Sequence, residues 1–343
     1  MIEEMNDRVD QIISIENHIH ETQKKVPEAS GQFSGVLCEI ALAAKIVSRE
    51  VRRAGLADIL GVTGNVNVQG EVVKKLDVFA QTVFVEILKR GGRVHAIVSE
   101  ESEEIIKIPG FMPHGHYLIT IDPLDGSSNT DANIPVGTIF GIYRRTPGEL
   151  AEDDDLFHRP GREQVGAGYV IYGSSTVLVY ATRLGGVHGF TLDPSLGEFI
   201  LSHPDIRTPD RGSILSVNEG YRPWWKENTR NYIDFLKSEG EDRPYLCRYV
   251  GSLVADFHRD LLYGGIFLYP ENGKDADQPH GKLRLLYEAA PLAFVAEEAG
   301  GKASTGDTCI LDIVPDNIHQ RVPLIIGSRL DVEDYEAYYH GER

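Results

Sequence analysis

The stretch that decides the fold is YLITIDPLDGSS, at residues 117–128. Its first five residues form a largely apolar run, which is followed by Asp122 and Asp125 on either side of Pro123 and Leu124. An apolar run of this length, bounded by turn residues, is typical of a buried β-strand. The two intervening residues suit a turn that holds both acids on one side, with the Leu124 carbonyl as a further oxygen. We therefore predict a strand that ends in a set of oxygen ligands.

A second strand of the same kind is predicted at residues 94–98, and it is followed by Glu100 and Glu101. If the two strands are neighbours in one sheet, four carboxylates converge at a single edge. Such a cluster would repel itself unless hard divalent cations, which prefer oxygen ligands, neutralise it. Each acidic pair alone is compatible with an ordinary turn or an exposed surface pair. Together, after two apolar strands, they favour a metal site.

The residues that come directly after Asp125 suit a phosphate group. Gly126, Ser127 and Ser128 offer backbone N–H groups at a predicted helix start, where the partial positive charge attracts anions. A metal site beside such a phosphate cradle indicates metal-assisted hydrolysis of a phosphate ester.

The remaining pattern predicts a mixed α/β (α+β) protein with layered sheets and helices. The stretch 61–70 is rich in Gly and Asn and predicts a loop, and the polar stretch 203–212 predicts a boundary between domains 1–202 and 203–343. Further predicted helices cover residues 36–51, 76–90, 225–236 and 289–299, and further predicted strands cover 139–143, 169–172, 177–180, 214–217 and 266–269.

Composition excludes several classes of function. The 343 residues carry a formal net charge of −18, which argues against binding to nucleic-acid backbones and to anionic membranes. No apolar run approaches the roughly 18 residues of a membrane span, and the acidic N-terminal residues are unlike a signal peptide. The three cysteines are far apart and lack any CxxC spacing, so we expect no disulfide framework and a cytoplasmic location.

Other common sites are disfavoured by spacing. No His/Cys cluster has zinc spacing, and no Walker A or well-placed GxGxxG motif is present, which disfavours nucleotide hydrolysis and dinucleotide binding. His18 and His20 lie close together near the N-terminus, and we interpret them as part of an acid-rich surface helix.

Along nearly its whole length the chain resembles class I fructose-1,6-bisphosphatase, within the lithium-sensitive, Mg-dependent sugar and inositol phosphatase superfamily. Besides the acidic motifs, the matching blocks are VVKKLD at 72–77, VGTIFGIYR at 136–144, NEGY at 218–221, RYVGS at 248–252, YGGIFLYP at 263–270, GKLRLLYE at 281–288 and EEAGG at 297–301. So many blocks in order are more specific than any one motif. The resemblance implies hydrolysis of the 1-phosphate of fructose 1,6-bisphosphate in gluconeogenesis.

The resemblance also implies roles for the acidic residues. It implies two or three Mg²⁺ ions, with Mn²⁺ or Zn²⁺ as substitutes, and activation of the attacking water by Glu71, on a mobile loop, by Asp77 and by Glu101. The implied metal ligands are Glu100, Glu101, Asp122, the Leu124 carbonyl, Asp125 and Glu288.

Substrate-binding and assembly roles are implied by the same resemblance. Arg248 matches an arginine that reaches the site of a neighbouring subunit, which implies a homotetramer built as a dimer of dimers. The implied contacts of the 1-phosphate are Asp125, Gly126, Ser127 and Ser128, and those of the sugar and the 6-phosphate are Asn218, Tyr221, Arg248, Tyr249, Tyr269 and Lys282.

Regulation by AMP is implied less completely. Gln32 stands where the family commonly has Glu, and His116 where it commonly has Lys, so a fixed cation facing the AMP phosphate is lost. The segment 149–161 holds no cysteine, so we predict no thiol switch. The residues that match the AMP site are Ser30, Gly31, Gln32, Ser34, His116, Tyr117 and Arg144.

Three alternatives remain open. Sedoheptulose-1,7-bisphosphatase would present a similar ketose bisphosphate end to the metals. Inositol monophosphatase is disfavoured because Tyr287 and Glu288 stand where that family has Trp-Asp. A catalytically inactive sugar-phosphate sensor is disfavoured because such a protein need not keep every acid of the metal site.

Overall fold

The structure is a computed structural model that describes residues 12–24, 31–54, 56, 62–66, 72–108, 115–145, 156–274 and 281–343. Within these residues it contains an eight-stranded sheet, a five-stranded sheet and two two-stranded sheets, packed with helices, which confirms the predicted mixed α/β class. The α-helices are α1 (Ile15–Lys24), α2 (Gln32–Val51), α3 (Lys75–Gly91), α4 (Glu227–Lys237), α5 (Leu253–Tyr263), α6 (Ala290–Glu298) and α7 (Arg329–Tyr339).

The strands are β1 (Val62–Val66), β2 (Val72–Lys74), β3 (Val94–Ser99), β4 (Ile106–Lys107), β5 (Tyr117–Asp125), β6 (Val136–Arg144), β7 (Gln164–Tyr172), β8 (Thr176–Thr182), β9 (Gly186–Asp193), β10 (Glu198–His203), β11 (Ile214–Val217), β12 (Leu246–Cys247), β13 (Ile266–Tyr269), β14 (Leu283–Arg284), β15 (Lys302–Ser304), β16 (Arg321–Val322) and β17 (Leu324–Gly327). The strands of the large sheet follow the order β10-β9-β8-β7-β6-β5-β3-β4, and those of the second sheet follow β12-β11-β13-β17-β15.

The two strands that lead into the acidic pairs are neighbours in the large sheet, which is the condition on which the predicted acidic cluster depended. Strands β3 and β5 pair in parallel, with Ser99 opposite Ile121, whereas the other pairs of the large sheet are antiparallel. In a parallel pair the carboxyl ends of both strands lie at the same edge. Residues directly after β3 therefore lie beside the end of β5, and the Glu100 N–H donates to the Ile121 carbonyl (3.2 Å).

Alternating side chains bury both faces of the large sheet. In β8, Leu178 and Tyr180 pack in a core with α1, α2 and α3, whereas Val177 and Val179 pack in a second core with α5 and α6. The second sheet has α5 and α6 on one face and α4 and α7 on the other. Helix α6 is apolar on every side and buried between the two sheets over residues 290–296. The resulting order of layers is helices, sheet, helices, sheet, helices.

Two local predictions need correction. The predicted loop 61–70 contains strand β1, which pairs with β2, and its valines and threonine favour extended backbone. Strand β5 continues through Asp125 instead of turning after Ile121. Pairing with β6 shifts between Asp122 and Asp125, and a proline inside a sheet is tolerated at such an irregularity because no ladder N–H is needed there.

The helical predictions are confirmed with shifted ends. The predicted helix 289–299 is α6, and a π-helix at Leu285–Ala289 precedes it directly. Helix α1 exposes His20, but His18 is half-buried, because its Nδ1 lies 2.8 Å from the Tyr180 hydroxyl. Among the helices within the described residues, none is long and apolar enough to cross a membrane.

Candidate active site

Three buried carboxylates meet at the carboxyl end of β5. Asp122 and Asp125 come from that strand and Glu288 from the π-helix, and one carboxylate oxygen of each lies within 4.8 Å of the others. The prediction that the acids of this strand face one side is therefore confirmed in geometry, and the π-helix adds Glu288.

The electrostatics of this group are unfavourable for carboxylates alone. Burial, together with the negative charges of Glu100, Asp125 and Glu288, raises the pKa of Asp122 well above its usual value. Burial also raises the pKa of Asp125 to about 7, although the Val254 N–H bonded to it acts in the opposite direction. Hard oxygen donors in a buried, mutually repelling set fit a divalent cation such as Mg²⁺. The residues present therefore fit the metal ion that the sequence predicts.

One cation, Arg284, lies among these acids and was missed from the sequence. Its Nη2 lies 2.5 Å from Glu100 Oε1, and its Nη1 lies 3.6 Å from Glu288 Oε2. The backbone N–H of Arg284 also donates to Glu288 Oε2 (2.6 Å). The side chain is 4% exposed, so its charge acts in a low dielectric. An arginine in the otherwise apolar stretch that precedes Glu288 was the available signal.

The other predicted acids lie around this group. Glu100 is buried and contacts Arg284, whereas Glu101 is half-buried, and neither belongs to the three acids that meet within 4.8 Å. Asp77 is buried at the start of α3, where its Oδ2 accepts the Lys74 N–H (2.9 Å). Glu71 lies outside the described residues.

The predicted phosphate cradle comes directly after the acids. Gly126 has a φ of 75°, which a glycine adopts without strain, and it precedes a 3₁₀-helix at Ser127–Ala132. A Cβ at Gly126 would lie 3.1 Å from Ser252 Oγ, so the backbone is also closely packed. Ser127 is half-buried and Ser128 is exposed. Both serines therefore lie next in the chain to the acidic group and are accessible from outside.

Tyrosines from three segments lie together beyond the acids. The rings of Tyr221 and Tyr269 are 6.4 Å apart, and both residues line one pocket with Asn218. Burial raises the pKa of Tyr249 to about 12, with further contributions from Asp256, Tyr221 and Asp125. The structure thus brings these predicted substrate residues together near the acidic group.

The two predicted cationic substrate residues are both exposed. Arg248 directly precedes Tyr249, and Lys282 lies close enough to the acidic group to lower the pKa of Asp125.

The residues matched to the AMP site lie at the opposite end of β5. Tyr117 stands opposite Arg144 in the β5–β6 register, and the Phe33 ring of α2 lies 6.0 Å from the Tyr117 ring. Gly31, with a φ of 78°, precedes α2, and Ser34 Oγ donates to Gln23 Oε1 (2.7 Å). These residues are separated from Asp122 by about 16 Å along the strand, at roughly 3.3 Å per residue.

Two further residues that match the AMP site, His116 and Gln32, are described by the structure, and a third is not. His116 is exposed, and its backbone N–H donates to the Arg93 carbonyl (2.9 Å), while Gln32 is the first residue of α2. Ser30 lies outside the described residues.

Comparison with known proteins identifies the family. The family model for the N-terminal domain of fructose-1-6-bisphosphatase matches residues 13–204, and the model for its C-terminal domain matches residues 208–340. The chain is 53% identical over 333 residues to the class 1 fructose-1,6-bisphosphatase of Maridesulfovibrio salexigens, covering 96% of this chain and 98% of that protein. It is 54% identical over 339 residues to that of Chloroherpeton thalassium, covering 97% and 95%.

Solved structures agree with the sequence comparison. The crystal structure of Leishmania major fructose-1,6-bisphosphatase in holo form superposes with a TM-score of 0.90 at 41% identity, covering 97% of this chain and 99% of that chain. The same protein in its T-state gives a TM-score of 0.84 at 40% identity, covering 95% and 98%. With both domains matched and more than half of its residues shared with curated relatives, the chain belongs to the fructose-1,6-bisphosphatase family.

Proposed function

We infer that the chain is a class 1 fructose-1,6-bisphosphatase, a phosphoric monoester hydrolase that releases the 1-phosphate of fructose 1,6-bisphosphate. The observation that carries this function is the buried acidic group Asp122, Asp125 and Glu288 directly before the Gly126 turn, in a chain that is 53% identical to a curated enzyme of that name. A buried group of repelling carboxylates is unfavourable unless it holds a cation, and a sensor protein would gain nothing from keeping it.

The acidic group is the proposed metal site. Asp122, Asp125 and Glu288, with Glu100, Glu101 and the Leu124 carbonyl nearby, would hold two or three Mg²⁺ ions. When bound, Mg²⁺ lowers the pKa of coordinated water and stabilises charge on the phosphoryl oxygens and the leaving alkoxide.

The protein's own groups orient the substrate and move protons. We propose that the hydroxyl groups of Ser127 and Ser128, which follow the acidic group in the chain, donate to the 1-phosphate. Asp77 accepts an N–H at the start of α3, immediately after the β1–β2 hairpin, so that it fixes the junction between hairpin and helix. We propose that Asp77, with Glu71 and Glu101, takes part in removing the proton of the attacking water.

The remote end of the substrate would bind to the tyrosine cluster. Phenol hydroxyls and a lysine ammonium are suitable donors to a phosphate group. We propose that these donors select the bisphosphate, and that Arg248 is supplied from a neighbouring subunit in a homotetramer. The proposed contacts of the sugar and the 6-phosphate are Asn218, Tyr221, Tyr249, Tyr269 and Lys282.

Phosphate release tests the function. We would measure it with and without Mg²⁺ from fructose 1,6-bisphosphate, sedoheptulose 1,7-bisphosphate and inositol 1-phosphate. We expect Mg²⁺-dependent release that is fastest from the fructose ester. Release from none of the three would contradict the enzyme assignment, and a preference for the sedoheptulose ester would overturn the substrate.

AMP regulation is proposed as weak. We propose that Tyr117 and Arg144, which are opposite each other in the β5–β6 register, meet the ligand, and that His116 stands where a lysine would supply a fixed positive charge. We expect His116→Lys to increase inhibition by AMP in the same assay, while turnover in the absence of AMP stays unchanged. Equal inhibition of both proteins would contradict the assignment of this residue to the AMP phosphate.

A further inference from the structure

The loop that carries Arg248 and Tyr249 is exposed, yet a buried side chain holds its backbone. Asp256, in the first turn of α5, is 0% exposed. Its Oδ1 and Oδ2 accept the Val250 N–H (2.9 and 3.0 Å), and its Oδ2 also accepts the Gly251 N–H (3.0 Å). Two consecutive backbone donors bound to one carboxylate leave the loop little freedom to rotate.

Arg259, one turn further along α5, ties the same loop to the second sheet. Its Nη2 lies 2.7 Å from Asp256 Oδ1, 2.8 Å from the Arg248 carbonyl and 2.9 Å from Ser216 Oγ. Ser216 lies in β11, two residues before Asn218. The arginine therefore connects the segment before Asn218 with the loop that carries Tyr249. It does so through three acceptors of the protein itself.

The start of α5 also reaches the acidic group. The Val254 N–H donates to Asp125 Oδ2 (2.9 Å), and Asn129 Nδ2 donates to the Gly251 carbonyl (3.0 Å). The first turn of α5 thus contacts a proposed metal ligand through Val254 and the 248–251 loop through Asp256, and that loop in turn contacts the 3₁₀-helix of the phosphate cradle through Gly251. The spacing between the two phosphate-binding ends is set through this turn and the loop before it.

We propose that Asp256 and Arg259 are positioning residues that hold the 248–251 loop at the distance from the acidic group that a bisphosphate requires. This inference rests on the proposed function, because it assumes that Tyr249 meets the remote phosphate. Selection of a bisphosphate over a monophosphate then depends on an ion pair between a buried aspartate and a half-buried arginine, neither of which is among the proposed substrate contacts. The pair fixes where the remote donors stand, and the donors supply the contact.

The test compares two esters in variants of this pair. In Asp256→Asn, the amide loses the charge that faces Arg259, and its NH₂ group would point at a backbone donor. We expect the KM for fructose 1,6-bisphosphate to rise about tenfold, with kcat changed less than about twofold. Because fructose 1-phosphate lacks the remote phosphate, the ratio of kcat/KM for the two esters should fall about tenfold.

A second variant of the pair and a control variant test whether the effect is specific to the 248–251 loop. Arg259→Lys keeps the charge, but one ammonium cannot reach all three acceptors with the geometry of the guanidinium. We therefore expect the ratio of kcat/KM for the two esters to fall in this variant too, by less than in Asp256→Asn. Asp331→Asn removes a comparable buried carboxylate that also binds an arginine and a backbone N–H, and it should lower stability without changing the ratio.

The outcomes separate this inference from the function itself. If the unchanged protein releases no phosphate from fructose 1,6-bisphosphate, the proposed function is wrong. If it does, and both variants of the pair lower turnover of both esters equally or lower only the melting temperature, the pair is merely structural and the inference is overturned.

Discussion

Two groups of buried carboxylates in this chain are built in opposite ways. Asp331, in α7, is 0% exposed, and its Oδ1 accepts from the Tyr245 hydroxyl (2.8 Å) and from Arg211 (3.1 Å), while its Oδ2 accepts from the Gly212 N–H (2.9 Å). Asp122 is 2% exposed, and its nearest charged neighbours include three more carboxylates.

The two groups differ in whether neighbouring groups offset the rise in pKa that burial causes. Burial raises the pKa of Asp331, but the Gly212 N–H, the Tyr245 hydroxyl and Arg211 each lower it again. For Asp122, burial and the neighbouring acids all raise the pKa. Burial alone therefore does not mark a functional carboxylate. The proposed metal site is marked by an excess of carboxylate charge that one buried arginine, Arg284, offsets only in part.

The largest effect is expected for Asp122→Asn. The amide removes one charged ligand while keeping the volume. Replacing residues that only support metal ligands commonly lowers metal affinity or activity by about 10–100-fold. We therefore expect Mg²⁺-dependent turnover to fall by more than about a hundredfold when a ligand itself is replaced. Melting curves of the metal-free protein should show an intact fold at pH 8. A variant with full turnover would contradict the metal assignment.

The next largest effect is expected for Arg284→Met. Removing a buried cation leaves Glu100 and Glu288 without it, so the free energy of unfolding without metal should fall by about 3–5 kcal/mol at pH 8. Added Mg²⁺ should restore part of this loss, because it supplies positive charge to the same acids. Urea unfolding with and without Mg²⁺ measures both.

Arg211→Met is the matched control for that prediction. Asp331 would keep its bonds to Gly212 and Tyr245, so the loss of stability should be smaller and independent of Mg²⁺. Equal losses in the two arginine variants, with no effect of Mg²⁺ on either, would remove the distinction between the two acidic groups.

Asp331→Asn should act on stability alone. The substitution weakens bonds to one arginine, one hydroxyl and one backbone N–H, and we expect a loss of about 1–3 kcal/mol in the free energy of unfolding. Turnover measured well below the melting temperature should change less than about twofold. A large loss of kcat in a folded variant would show that this group also serves the reaction.

The smallest expected effect is the pH dependence of stabilisation by Mg²⁺. The pKa of Asp125 is about 7 in the metal-free fold and 3.8 in the unfolded chain, so this group costs stability progressively as pH rises from the lower value through 7. Protons compete with Mg²⁺ for the same oxygens. The Mg²⁺-induced rise in melting temperature should therefore be about 2 °C larger at pH 8 than at pH 5.5.

Asp122→Asn is the comparison variant for this measurement, because it removes one of the carboxylates for which protons and Mg²⁺ compete. An increase in melting temperature that is the same at both pH values in the unchanged protein would show that Mg²⁺ binds elsewhere.

Local pattern predicted the elements that bury continuous apolar runs. Strands 214–217 and 266–269 coincide with β11 and β13, because each run is apolar and bounded by turn residues. The end of β5 was not predicted, because proline normally ends a strand and only the pairing with β6 reveals the irregularity that accommodates it. The sequence of one segment indicates where a turn is favoured. The register of hydrogen bonds between two strands depends on both strands and cannot be predicted from either one alone.

The acidic site was predictable in part. Asp122 and Asp125 come after an apolar strand, which is a local signal, and the neighbouring strand could be inferred from its similar ending. Glu288 is distant from them in the chain, and only the family resemblance joined it to them. Arg284 and Asp256 were missed because a single charge in a largely apolar segment has several structural explanations, and because the groups that they contact come from other elements.

The π-helix that carries Glu288 has a consequence for comparing relatives. A π-helical turn corresponds to an α-helix with one residue inserted, which rotates the residues before the insertion by about 100° relative to the residues after it. With α6 held in place, loss of Leu286 or Tyr287 would leave Glu288 where it is and would rotate the preceding Arg284 away from Glu100 and Glu288. A one-residue gap in this segment of an aligned relative would therefore mark a protein that keeps the fold and has lost the buried arginine from its acidic group.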